Sequence, residues 1–396
     1  MGNPTLGSVA ELEKLSFNPE RVTIHWQDGH RSIFDAIWLR DNCLADRDAR
    51  TGQRLVDIAD LPEHPAIAAV SHNSDGAILI TWRAEPKSSW FPLEWLREHC
   101  YCEEHRKSRR ASPVLWHRDP SPELLSMEHA ELIASKFALC RWLRAITCQG
   151  IAFLRGVPPY SGQLLEVARC LGYVRETNYG KVFDVRAQPK PNNLAYSERG
   201  LGVHTDNPYR DPVPGLQLLH CLQADENGGE SLFVDGFAVA NELLASDSQA
   251  FQTLTRVPVP FAFRDESADL RAERCLVELD THGEPAAVHY NSRSICPLSL
   301  PPDELAAFYH AYRTFARLLR DPRFELRVKL RVGDLVAFNN RRILHGRTAF
   351  APATGRWLQG CYVDWDGLLS TLAVLERHPL AHSALANRAA KAGAAK

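Results

Sequence analysis

Three side chains carry the strongest chemical signal in the chain. They are His204 and Asp206, in His204-Thr205-Asp206, and His345, near the end of the run Asn339-Asn340-Arg341-Arg342-Ile343-Leu344-His345-Gly346-Arg347. On an extended strand, residues i and i+2 face the same side, so His204 and Asp206 are expected to point together into a barrel. One histidine from a facing strand would complete a set of two imidazoles and one carboxylate with open positions, the donor set of non-haem Fe(II) oxygenases. Alone the motif is weak, because a hydrogen-bonded surface His-Asp pair reads the same way.

A second group adds weight. Arg356 follows His345 by eleven residues, at the start of an apolar strand-like segment. A guanidinium inside a barrel is costly unless it grips a carboxylate with two prongs. Ser231, in Gly228-Gly229-Glu230-Ser231, could add a hydroxyl to the same anion. Together they suit the far carboxylate of a 2-oxoglutarate cosubstrate. A zinc hydrolase could use the three metal ligands with an activated water, but Arg356 and Ser231 would then have no role.

The elements that must position these residues are legible in outline. Val22 to Trp26 alternates like a strand, Gln27-Asp28-Gly29-His30 carries an Asp-Gly turn, and Ala77 to Trp82 is a second strand. A small β-rich module is expected over residues 1–105, with a basic linker, Arg106-Lys107-Ser108-Arg109-Arg110, inside 106–121. The catalytic domain is expected over 122–384, and an Ala- and Lys-rich tail over 385–396. Leu125, Ile133, Phe137, Cys140, Leu143 and Ile146 recur at helical steps and predict one long amphipathic helix. Further strands are expected at 151–154, 216–222, 231–234, 287–291, 335–339 and 357–363. A helix is expected from Gly162 to Leu171, and another from Asp303, as N-cap, to Leu319. Many strands with a few long helices predict a jelly roll flanked by helices. No internal repeat is evident.

Composition removes several classes. The 396 residues carry 46 Lys plus Arg against 48 Asp plus Glu, a net charge of −2, so the basic footprint of a nucleic-acid binder is missing. No apolar run reaches the length of a membrane span. Met1-Gly2-Asn3-Pro4 has neither a charged leader nor an apolar core, and Leu6 breaks the myristoylation pattern. Ten scattered cysteines suit free thiols in a reducing cytoplasm.

Longer motifs resemble the γ-butyrobetaine dioxygenase group within the taurine-dioxygenase-like Fe(II)/2-oxoglutarate oxygenases. They are Trp38-Leu39-Arg40-Asp41-Asn42-Cys43, Asn192-Asn193-Leu194-Ala195-Tyr196, His204-Thr205-Asp206, Pro214 to Cys221, Val234-Asp235-Gly236-Phe237, Leu344-His345-Gly346-Arg347 and Gly360 to Trp365. The resemblance implies a double-stranded β-helix, Fe(II) held by His204, Asp206 and His345, 2-oxoglutarate held by Arg356, and O2 as oxidant. It also implies a homodimer and a small quaternary-ammonium substrate. Tyr179, Phe183, Tyr196 and Tyr362 match an aromatic cage for the trimethylammonium group, whose positive charge favours ring faces. Asn193 and Asn291 match the asparagines that meet the substrate's acid.

Two departures stand out. The family's N-terminal zinc site, three clustered cysteines and a histidine, keeps only Cys43; Leu44-Ala45-Asp46-Arg47 follow, and no histidine stands near Pro86-Lys87-Ser88. Structural zinc is therefore not expected; a rescue by the segment His99 to His105 lacks placed partners. At the other departure, Asn207 follows the metal aspartate where carnitine-forming relatives carry an aromatic, and Arg293 closely follows Asn291. An extra guanidinium suits an anion with more oxygens, so the expected substrate is 2-(trimethylamino)ethylphosphonate, hydroxylated at the second carbon from nitrogen. The alternatives are hydroxylation of γ-butyrobetaine to carnitine, or a quaternary-amine binding protein without turnover.

Overall fold

A computed structural model describes residues 11–110, 113–118, 126–186, 199–225, 228–350 and 355–377. The chain divides into two compact units, residues 1–111 and 112–396. Within the first, two three-stranded antiparallel sheets each run into a six-residue helix. One sheet comprises Leu12–Asn18, Arg21–Trp26 and Arg31–Asp35; the other comprises Ile67–His72, Ala77–Trp82 and Ser88–Pro92. Alternation places Val22, Ile24 and Trp26, and likewise Ile78, Ile80 and Trp82, in one shared core. Trp26 Nε1 donates to Ser32 Oγ at 2.9 Å, and Trp82 Nε1 donates to Ser89 Oγ at 3.0 Å. The same packing device occurs twice, so the module is an internal duplication that the sequence reading did not register. Beyond Cys43, Asp46 is ion-paired with both Arg40 and Lys87. The basic run begins inside a helix, Glu103–Ser108.

The second unit holds two main sheets. One orders Phe183–Arg186, Trp357–Val363, Leu216–Gln223, Leu335–Asn339, Ile151–Arg155 and Met127–Glu128, with Val174–Arg175 also on Trp357–Val363. The other orders Leu201–His204, Ile343–Arg347, Ser231–Asp235 and Glu325–Val328. Their inner faces meet through Phe153, Leu219, Val336, Phe338 and Leu358 from one sheet and Phe233 and Ile343 from the other. The helices Lys136–Gln149, Leu164–Leu171 and Trp365–Arg377 cover the outer face of the larger sheet, and Gly236–Ser246, Ser248–Arg256 and Pro302–Leu318 cover the smaller. This is the jelly roll with flanking helices that the strand pattern implied.

Some elements differ from expectation. The long helix is two, His129–Ala134 and Lys136–Gln149, because Ser135 is extended and its hydroxyl accepts from Ala138 N at 3.3 Å. Ile133 is accordingly 67% exposed instead of joining the apolar stripe. Asp303 is not the cap: Pro301 is, and Asp303 lies in the first turn, where its charge complements the helix dipole. The strand expected at 287–291 is Pro285–Val288. Residues 385–396 lie outside the described residues. Among the described residues, no helix is long and apolar enough to cross a membrane.

Candidate active site

His204 and His345 come together through strand register. Leu201–His204 and Ile343–Arg347 are antiparallel neighbours in the smaller sheet, and His204 stands directly opposite His345. Their rings lie 4.4 Å apart. The third ligand therefore comes from the adjacent strand of the same sheet and not from a facing one. Asp206 lies past the strand end, and other contacts direct it. Thr205 N donates to Tyr290 O at 2.8 Å, and Tyr290 N donates to Thr205 Oγ1 at 3.0 Å. Asn340 clamps the next residue, accepting from Asp206 N at 2.7 Å and donating to Asp206 O at 3.0 Å.

The donor atoms converge. His204 Nε2 is 3.3 Å from Asp206 Oδ1, and His345 Nε2 is 3.9 Å from Asp206 Oδ2. His204 Nδ1 lies 3.0 Å from Gly202 O, which fixes the tautomer with a free Nε2 lone pair. Burial, then the charge of Arg293, pushes His204 below the ordinary histidine range. Burial and neighbouring His204 push His345 down to about 3. Burial alone would raise Asp206, but His345, His204 and the Tyr362 hydroxyl outweigh it and hold the carboxyl below its usual range. Two neutral imidazoles and one carboxylate, each with a donor atom within 4.8 Å of the others, fit a divalent iron.

A cavity of about 460 Å³ opens over this cluster. Arg356 and Ser231 both line it and are both buried. Arg356 Nη1 has no hydrogen-bond partner among the described residues, and burial lowers the guanidinium's pKa. Gly229, at φ +65°, lets Arg356 pass: a Cβ there would lie 2.9 Å from Arg356 Cδ. A buried guanidinium with a nitrogen left open among the described residues is the feature expected of a site that receives a carboxylate.

Tyr179, Phe183, Tyr362, Asn207, Asn291 and Arg293 also line the cavity. Asn193 and Tyr196 lie outside the described residues. Phe183 and Tyr362 rings are 5.0 Å apart, and the Tyr362 hydroxyl donates to Asp206 Oδ2 at 2.8 Å, tying the aromatic wall to the metal ligand. Asn207 sits at φ +57°, a left-handed conformation that asparagine tolerates. Its Oδ1 accepts from Tyr209 Oη at 2.7 Å. Asn291 donates to Thr205 O at 3.2 Å and accepts from Arg293 N at 3.3 Å, so its amide already serves the local backbone. Arg293 is exposed as a residue, yet it belongs to the cavity lining and its charge reaches both histidines.

Two aromatics escaped the sequence reading. Tyr209 stacks on Phe263 at 5.3 Å, and its hydroxyl is 3.1 Å from that of Tyr179. Tyr209 lies three residues past Asp206, a proximity that could have marked it. Phe263 comes from the strand Val259–Arg264, whose contribution to the pocket only the fold reveals.

Residues 130–362 match the model of the taurine catabolism dioxygenase TauD, TfdA family, and residues 13–91 match the γ-butyrobetaine hydroxylase-like N-terminal family. The chain belongs to the TauD, TfdA family. It is an Fe(II)- and 2-oxoglutarate-dependent dioxygenase, and His204, Asp206 and His345 fit its iron site. The chain is 37% identical to the γ-butyrobetaine dioxygenase of Pseudomonas sp. (strain AK-1), over 94% of this chain and 98% of that one. It is 29% identical to the human γ-butyrobetaine dioxygenase, over 90% and 94%. It is 31% identical to the trimethyllysine dioxygenase of Meyerozyma guilliermondii, over 92% and 96%.

In this family the bound iron supplies O2 activation coupled to 2-oxoglutarate oxidation. The chain's own residues hold the reactants for it. His204 and His345 offer Nε2 atoms on paired strands, Asn340 and Tyr362 orient Asp206, and aromatic side chains line the cavity beside them.

Proposed function

We propose that this dioxygenase hydroxylates a small trimethylammonium acid, with γ-butyrobetaine, giving carnitine, as the leading substrate. The observation that carries the reading is the aromatic wall of Tyr179, Phe183, Tyr209, Phe263 and Tyr362 beside the iron ligands. A quaternary ammonium has no N–H to donate, so ring faces are its natural hosts, each contributing about 0.5–2 kcal/mol. Arg356, with Ser231, binds the far carboxylate of 2-oxoglutarate, and Arg293 with the Asn207 and Asn291 region meets the substrate's acid. The similarity to γ-butyrobetaine dioxygenases supports the carboxylate over the phosphonate expected from sequence.

A second reading keeps 2-(trimethylamino)ethylphosphonate, because Arg293 adds a full charge to the cavity and Asn207 Nδ2 is buried without a partner among the described residues. The carbon second from nitrogen is the reacting carbon in both molecules, so one cage position serves either. Succinate formation is the deciding measurement, taken with Fe(II) and 2-oxoglutarate over γ-butyrobetaine, trimethyllysine and the phosphonate. Higher kcat/KM on γ-butyrobetaine supports the leading reading; higher kcat/KM on the phosphonate replaces it. No turnover on any trimethylammonium acid removes the cage assignment and points the dioxygenase to another substrate. The homodimer and cytoplasmic location expected from sequence belong to this proposal and are checked by light scattering and by cell fractionation.

A further inference from the structure

The duplicated N-terminal unit contains a second cluster of metal-ligating side chains, unrelated to the iron site. Phe34, Trp38, Leu39, Arg40 and Cys43 recur 57 residues later as Phe91, Trp95, Leu96, Arg97 and Cys100. In each half, the arginine after the Trp-Leu pair reaches a carboxylate in the hairpin turn of the other half. Arg40 pairs with Glu85 at 2.8 Å, and Arg97 pairs with Asp28 at 2.6 Å. The same shift that carries Glu85 back onto Asp28 carries Lys87 back onto His30.

The two equivalent places have opposite chemistry. In the first half, Lys87 and Arg40 close on Asp46, an ion network. The corresponding turn residue of the first half is His30, and it meets Cys100, Cys102 and His105 of the second. His30 Nε2 is 3.4 Å from Cys100 Sγ and 3.9 Å from Cys102 Sγ, while Cys102 Sγ is 3.3 Å from His105 Nδ1. All four donor atoms lie within 4.8 Å of one another. Around a tetrahedral zinc, bond lengths of about 2.0–2.3 Å place ligand atoms roughly 3.3–3.8 Å apart. The observed separations are close to that range.

We propose that His30, Cys100, Cys102 and His105 form a closed, structural zinc site. Two thiolates balance the divalent charge, and four protein ligands leave no open position for chemistry. The surroundings suit the role. Ser32, which accepts from Trp26 Nε1, stands close enough to Cys100 to favour its thiolate. Cys102 caps the helix Glu103–Ser108 by accepting from His105 N, and that helix buries no residue of its own. Apolar packing cannot hold such a helix; a metal bridge through Cys102 and His105 can. The sequence expectation of no structural zinc left Cys100 and Cys102 without partners, because His30 is 70 residues away in the chain.

The test uses the full-length protein purified without added metal. Zinc content is measured for wild type, Cys102→Ser and His105→Ala, with His204→Ala as the variant that removes only the iron site. About one zinc per chain is expected in wild type and in His204→Ala, with loss in Cys102→Ser and His105→Ala. Cobalt(II) then serves as a spectroscopic probe, since the iron ligands contain no sulfur and a thiolate-to-cobalt charge-transfer band reports this site alone. Wild-type zinc retained in a folded Cys102→Ser protein overturns the proposal. So does a wild type that shows no thiolate-to-cobalt band or carries a Cys100–Cys102 disulfide. Should the variants fail to fold, the wild-type cobalt spectrum decides by itself.

Discussion

The two ends of the catalytic cavity are built to different standards. At the iron end, His204 and His345 lie in register on adjacent strands, and Asp206 is held at backbone and side chain by Asn340 and Tyr362. At the end proposed to meet the substrate's acid, Arg293 comes from a loop, Asn291 is engaged with the backbone, and Asn207 depends on an unusual backbone conformation. The pairing shifts by one residue between Leu201 and His204, and that bulge sets which face His204 presents, because a one-residue slip turns side chains to the other face. Loop residues have no such constraint, so substrate choice can drift while the iron chemistry stays.

The largest expected effect comes from breaking the rigid end. His345→Ala should abolish Fe(II)-dependent succinate formation, since two protein ligands leave the metal loosely held; measurable turnover in a folded variant would displace His345 from the site. Next comes the cosubstrate anchor. Arg356→Lys should raise the KM for 2-oxoglutarate by roughly 10- to 100-fold, because an ammonium cannot reproduce a two-pronged contact. An unchanged KM would transfer the role to Arg347, which also lines the cavity.

A structural change sharpens the comparison from behind the iron strand. Arg342, just before the strand that carries His345, donates to both oxygens of Asp235, at 3.0 and 2.7 Å, and both side chains are buried. Asp235→Ala should cost about 3–5 kcal/mol, read as a lowered midpoint in denaturant, because it strands a buried charge. The smallest effect is expected at the loop end. Arg293→Ala should lower activity on 2-(trimethylamino)ethylphosphonate more than on γ-butyrobetaine, by about a factor of ten in their ratio. Tyr362→Ala should lower both together. A ratio that Arg293→Ala leaves untouched would exclude Arg293 from the acid pocket.

The chain's own order of residues determined much of this protein. His204, Asp206, His345, Arg356 and Ser231 were legible as a set, because few chemistries need that combination, and alternating apolar runs announced most barrel strands. The strands Leu335–Asn339 and Trp357–Val363 were legible to the residue, since turn-forming and apolar segments meet sharply at their ends. Other features depended on contacts between distant segments. Ser135 broke a helix that periodicity alone would have continued, because a side-chain cap competes locally with the helical hydrogen bond. Asp206 reached the iron from beyond a strand end because Asn340, 134 residues later, holds its backbone. Tyr209 and Phe263 became one wall only when a hairpin folded over the cavity. His30 found its two cysteines across 70 and 72 residues because a duplicated module brings the turn of one half against the helix end of the other. Local chemistry can be read from residue type and spacing; which distant side chains share a site is decided by packing.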